Sequence, residues 1–142
     1  MVSDHSDSYV MPSRLECIDD ARNWTSEQLR RAGFDEDSTF VLHLAMTEAI
    51  SNVIRHAYGG APDKEVHLTL ATDEDGLRLG IRDFGAVEDP ATFEQRDLDS
   101  PGSGGYGVHI IEELMDDVTR ETPPEGGTLL TLSKRRSETA HG

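Results

Sequence analysis

Glu48 and Asn52 stand four residues apart in a stretch whose apolar residues recur at helical spacing, so their side chains are stacked neighbours on one helix flank. A carboxylate beside a carboxamide offers two kinds of chemistry. The oxygens suit a hard cation such as Mg²⁺, and the carboxylate can take a proton from an attacking hydroxyl or water. Arg55 lies close to the pair. Further along, Asp83-Phe84-Gly85 falls where an alternating segment runs out into a long loop. A buried carboxylate there can accept an exocyclic amine such as that of adenine, and a glycine beside it lets backbone approach a ligand. Gly102-Ser103-Gly104-Gly105-Tyr106-Gly107 opens a helical segment. Glycines that present backbone N–H groups at a helix N-terminus suit anionic phosphates. Gly126-Gly127-Thr128 starts the last apolar run, and Thr128 is placed to hydrogen-bond with an adenine-binding group.

Each of these has a plainer account when taken alone. Glu48–Asn52 fits a solvated helix flank, Asp83–Gly85 a turn, the glycine run a flexible hinge, and Thr128 an ordinary β-branched strand residue. Asp-Phe-Gly is not the protein-kinase magnesium loop, because no His-Arg-Asp segment and no strand lysine with a glycine-rich hairpin accompany it. The glycine run follows Asp99-Ser100-Pro101 where a dinucleotide fingerprint needs a hydrophobic strand, and no Gly-Lys-Ser/Thr phosphate loop occurs.

The elements that must hold these residues are readable from periodicity. A short strand is expected near Ser8–Met11 and a helix over Leu15–Ala32, stopped by Gly33. A second helix runs over Phe40–Tyr58, behind the acidic Asp35–Asp37, with Leu42, Met46, Ala49, Val53 and Ala57 as its core stripe. Glu65–Thr72 and Leu77–Asp83 alternate as strands around the turn Asp73-Glu74-Asp75-Gly76. Phe84 to Ser103, with at most one helical turn around Ala91–Gln95, is too long for a mere connection and reads as a functional lid or a disordered loop. Gly104–Asp117 reads as a helix, and Val118–Glu121 and Thr128–Lys134 as closing strands. Trp24 and Phe40 are assigned to the core, and the Glu112-Glu113 and Asp116-Asp117 pairs to a solvated face. The order predicts an α+β two-layer sandwich, a mainly antiparallel sheet with helices on one face. It forms a single domain over the 142 residues, with a core of about 8–134 and a tail from 135 to 142.

Composition narrows the partners. The formal net charge of −15 argues against nucleic acid or an anionic membrane as the main partner, since both need a basic face. No apolar run reaches the roughly 20 residues of a membrane span, and no export signal is visible, so a cytoplasmic protein is expected. Cys17 is the lone cysteine, and the six histidines show no metal-ligand spacing.

The run from Leu42 to Tyr58, with Thr47-Glu48-Ala49-Ile50-Ser51-Asn52 at its centre, resembles the N-box of the bacterial anti-sigma factor serine/threonine kinases of the RsbW and SpoIIAB kind. These belong to the histidine-kinase-like ATPase superfamily with the Bergerat fold. Asp83-Phe84-Gly85 sits where that family's G1 box begins, Gly104–Gly107 where its G2 box opens a helix, and Gly127-Thr128 where its closing Gly-Thr falls. The resemblance implies an ATP- and Mg²⁺-dependent kinase. Glu48 would be the general base and Asn52 the Mg²⁺ ligand. Asp83 would bind the adenine amine, Gly85 would give it room, and Thr128 would support it. Gly104, Gly105, Tyr106 and Gly107 would line the phosphates within a lid spanning about 94–106. The implied partners are an anti-anti-sigma STAS-domain substrate, a sigma factor and a second copy of the chain. Two departures stand out. The G1 box continues as Ala86-Val87-Glu88-Asp89-Pro90, and no Lys or Arg occurs between Arg96 and Arg120, leaving Arg55 or Arg96 to help neutralise the phosphates. A nucleotide-gated module that sequesters a regulator without turnover is the alternative.

Overall fold

The structure is a computed structural model that describes residues 5–85 and 105–136. Its elements follow the expected order. Strand β1 spans His5–Pro12, a 3₁₀ turn spans Leu15–Cys17, and helices α1 and α2 span Ile18–Arg31 and Glu36–Asn52. A π-helical turn, Val53–Ala57, continues α2. Strands β2 (Glu65–Thr72) and β3 (Gly76–Asp83) precede helix α3 (Gly105–Leu114) and strands β4 (Asp117–Glu121) and β5 (Thr128–Arg135). The five strands form one sheet in the order β1-β2-β3-β5-β4, and every pairing is antiparallel.

Local chemistry sets the boundaries. Gly33, at φ 82°, ends α1, with the Phe34 N–H reaching back to the Leu29 carbonyl at 3.0 Å. Asp35 then caps α2 by accepting the Ser38 N–H at 2.8 Å, so α2 begins at Glu36, one turn ahead of the expected Phe40. In the β2–β3 turn Asp73 Oδ1 accepts the N–H groups of Asp75 and Gly76 at 2.9 and 3.0 Å, which holds the hairpin register.

The core lies on one face of the sheet. Val66, Leu68 and Leu70 of β2, Leu77, Leu79 and Ile81 of β3, and Leu130 and Leu132 of β5 point into it against Leu29, Leu42, Met46 and Ile50. Alternate residues, Thr69, Arg78 and Thr119 among them, face the other way and are exposed. Phe40, assigned to the core, is 63% exposed. Trp24 packs against the core as expected, half-buried and stacked on Tyr9 at 5.4 Å. In α2 the interior positions are Leu42, Ala45, Met46, Ala49, Ile50 and then Ile54, while Val53 and Ala57 are only partly buried. The π-turn supplies the reason, because it adds a residue to the last turn and rotates the following side chains.

Strand β5 continues through Arg135, which the sequence assigned to a frayed tail. Arg136 after it donates to the Asp73 and Ala32 carbonyls at 3.0 and 2.8 Å and lies over the Phe34 ring. Among the described residues no helix is long and apolar enough to cross a membrane.

Candidate functional site

Helix α2 carries the first part of the site. Asn52 is its last residue and is only 7% exposed, so it is not on the solvated flank that its spacing alone suggested. Its carboxamide Oδ1 accepts an N–H of the exposed Arg55 at 3.2 Å. That leaves a second lone pair on a buried, neutral oxygen. Glu48, one turn earlier, is half-buried, and among the described residues no lysine or arginine pairs with it.

Beyond Asn52 the helical ladder slips. The Tyr58 N–H reaches the Val53 carbonyl, five residues back, at 3.1 Å. The re-aimed chain end meets the sheet in two places. The Ala57 carbonyl lies against Gly85 so closely that a Cβ there would come within 2.4 Å of the oxygen. The Tyr58 hydroxyl accepts the Phe84 N–H at 2.8 Å and donates to the Glu65 carbonyl. Tyr58 thereby ties the start of β2 to the end of β3, and burial pushes its phenol pKa up.

Asp83 closes β3 and is 3% exposed. Its Oδ1 accepts the Gly85 N–H at 3.1 Å, and the Thr128 N–H, from its register partner on β5, also supports the carboxylate. Burial is the larger influence and raises the Asp83 pKa, against the opposing pull of those two N–H groups and of the Arg82 and Arg120 charges. Gly127, at φ 75°, passes so close that a Cβ would stand 2.1 Å from the Asp83 carbonyl oxygen. The Arg82 guanidinium bridges the Asp83 and Gly126 carbonyls, both at 2.8 Å, and lies over the Phe84 ring at 4.5 Å. The corner is thus made of main chain brought into contact, and only glycine fits at two of its points.

The structure therefore brings Asp83, Gly85 and Thr128 together and sets them at the C-terminal end of the helix that carries Glu48, Asn52 and Arg55. Gly105, Tyr106 and Gly107 form the first turn of α3, which packs against α2. The leading N–H groups of that turn have no partner within the helix. Gly104, Arg96 and the lid up to residue 104 lie outside the described residues. A notch of about 500 Å³, lined by Ala57, Tyr58, Lys64, Glu65, Phe84 and Gly85, adjoins the corner but includes neither Asp83 nor Glu48. Sequence reasoning gave no role to Tyr58 or Arg82. The available signal was an aromatic with a polar tip placed one residue past a helix end, beside a glycine-rich turn.

This geometry offers an acceptor for an exocyclic amine at one end, a neutral oxygen ligand one helical turn and a half back, and a carboxylate base a further turn back. Residues 11–134 match the family model described as a histidine kinase-like ATPase domain. The chain is 33% identical over 116 residues to the serine-protein kinase RsbW of Listeria monocytogenes serotype 4a, covering 76% of this chain and 74% of that protein. It is 29% identical over 136 residues to the RsbW of Oceanobacillus iheyensis, covering 90% and 85%. Its fold matches the crystal structure of the RsbU and RsbW domains of Rv1364c from Mycobacterium tuberculosis with a TM-score of 0.68 at 18% identity, spanning 94% of this chain and a third (33%) of that one. It also matches the crystal structure of the SiaB–SiaC complex from Pseudomonas aeruginosa, with a TM-score of 0.69 at 10% identity over 89% of this chain.

Proposed function

Because this chain belongs to the histidine kinase-like ATPase family, among the RsbW serine-protein kinases, we propose that it transfers the γ-phosphate of ATP to a serine or threonine of a STAS-domain anti-anti-sigma protein. It is an anti-sigma factor kinase of a partner-switching system that controls transcription. In that role it holds a sigma factor inactive, works in the cytoplasm and acts as a homodimer. The observation that carries the assignment is the buried Asp83 carboxylate, bracketed by backbone at the end of the helix that bears Glu48 and Asn52.

Each residue has a part in the transfer. Asp83 accepts the adenine amine, and burial makes that charged acceptor discriminating, because a base without the amine leaves it unpaired. Gly85 and Thr128 fix the carboxylate. Asn52 fits a Mg²⁺ ligand, since its buried carboxamide oxygen keeps a free lone pair, and Mg²⁺ when bound neutralises phosphate charge. The first turn of α3 presents N–H groups to the phosphates, and Arg55 adds positive charge. Glu48 takes the proton of the acceptor hydroxyl as its oxygen bonds to the γ-phosphorus and the bond to the β–γ bridging oxygen breaks, releasing ADP.

The test is incubation with γ-labelled ATP, Mg²⁺ and the STAS-domain proteins of the same genome. Label transfer that Glu48→Gln abolishes while ATP binding persists supports the assignment, as does a loss of Mg²⁺-dependent affinity in Asn52→Ala. ATP binding with no transfer to any STAS protein refutes the kinase and leaves a sequestering module.

A further inference from the structure

Four residues of α2 spaced four apart form one inclined ladder: Phe40, Leu44, Glu48 and Asn52. Their burial changes in one direction along it. Phe40 is 63% exposed, Leu44 is 41% exposed, Glu48 is half-buried and Asn52 is 7% exposed. Each step advances about 6 Å along the helix axis. The C-terminal end of the ladder is closed, since the π-turn there abuts Gly85 and the Asp83 corner. The nucleotide base belongs at that end, so the phosphate chain runs back toward Glu48, and an acceptor hydroxyl has to arrive from the N-terminal side.

We propose that Phe40 and Leu44 form the docking platform on which the acceptor protein seats itself so that its hydroxyl reaches Glu48. The platform rests on the kinase assignment and names what recognises the substrate. Two large apolar side chains in the open on consecutive turns give a partner a compact anchor, the kind of contact that dominates interface energetics. Their position on the same ladder as the base fixes the reach: the partner's apolar contact falls about 6–12 Å from the hydroxyl that it presents. Glu36 and Asp37, both exposed in the first turn of α2, give the platform an acidic edge on the side away from Glu48. The occupant is therefore a protein with an apolar patch near its acceptor residue and basic side chains at the far rim, which the charge of −15 also helps to steer.

The experiment compares wild type with Phe40→Ala, Leu44→Ala and the double variant, using a STAS-domain protein that wild type phosphorylates. Both side chains are exposed, so the variants are expected to fold, which thermal melts check. The KM for the protein acceptor is expected to rise at least about tenfold in the double variant, with KM for ATP within about twofold of wild type. Glu36→Lys is expected to weaken the acceptor KM further at low salt than at high salt. An unchanged acceptor KM in the double variant, with transfer by wild type intact, overturns the platform and leaves the kinase assignment standing. A shift in oligomeric state by light scattering with unchanged acceptor KM assigns the face to a second copy and also overturns it. Absence of transfer by wild type to every STAS protein defeats the kinase assignment and, with it, the platform's occupant.

Discussion

Replacing Gly85 by alanine puts a methyl carbon 2.4 Å from the Ala57 carbonyl oxygen. Ordinary carbon contacts begin near 3.5 Å, so the two segments must part by about 1 Å. Both are main chain, and no side-chain rotamer relieves the clash. The turn moves off the π-turn, and the Gly85 N–H, now 3.1 Å from Asp83 Oδ1, passes beyond hydrogen-bonding range. Losing a hydrogen bond to a buried charged group costs about 1.5–3 kcal/mol. If Asp83 holds adenine, the same energy appears as a fall in ATP affinity of about 10- to 100-fold. It also lowers the melting temperature of the nucleotide-free protein, by about 5–10 °C for a domain of this size. Titration calorimetry with ATP and thermal melts without it measure the two effects. A glycine kept only to make room for the ligand would lose affinity and leave the nucleotide-free melt untouched. A Gly85→Ala protein that melts within about 1 °C of wild type and binds ATP within twofold refutes the packing account altogether.

Tyr58→Phe removes the hydroxyl that links Phe84 to Glu65, and is expected to weaken ATP binding about three- to tenfold with little change in kcat, read from steady-state kinetics. Asp83→Asn is expected to cost at least about tenfold in ATP affinity by calorimetry. Since burial raises the Asp83 pKa in the folded state, the stability tied to its protonated form is complete below 3.8 and is lost as pH rises through the folded value; melts of the Asn variant lack that loss. His43 lies between α1 and α2, with Nε2 3.0 Å from the Arg22 carbonyl oxygen and 2.9 Å from Ser26 Oγ, and burial pushes its pKa below 6.5. A depressed imidazole pKa means stability present above 6.5 and lost as pH falls through the folded value, so wild type is expected to lose melting temperature over that interval more steeply than His43→Gln.

Periodicity carried most of the architecture. The alternation in Glu65–Thr72 and Leu77–Asp83 is strict because one face of each strand meets the core, and a period of two leaves one register that buries Val66, Leu68, Leu70, Leu79 and Ile81 together. The helix bearing Glu48 and Asn52 was legible for the same reason. What could not be read there was the slip at Val53, since nothing in Val-Ile-Arg-His-Ala marks a π-turn, and it is this slip that puts Ile54 inside and Val53 at the margin. Phe40 is assigned inward on hydrophobicity, whereas in a helix begun at Glu36 it stands one turn in and on the exposed side. The roles of Tyr58 and Arg82 depend on contacts between segments far apart in the chain, 26 residues from Tyr58 to Phe84 and 44 from Arg82 to Gly126, and single-sequence patterns carry no such information.

Those long-range contacts share a property: each has main chain on at least one side. Tyr58 bonds to the backbone of Phe84 and Glu65, Arg82 to the backbone of Asp83 and Gly126, and Gly85 and Gly127 meet carbonyl oxygens of Ala57 and Asp83. A corner assembled from main-chain groups specifies little beyond its two glycines, its carboxylate and the donors that reach it. The outer surface is free to change, and the same fold at 10–18% identity is what such a construction allows. In the proposed arrangement the nucleotide takes the C-terminal end of α2, while Phe40 and Leu44 stand in the open toward the opposite end. Two bulky apolar side chains exposed there lie away from the proposed nucleotide end, and the proposed acceptor protein, which would bring its hydroxyl to Glu48, would account for them.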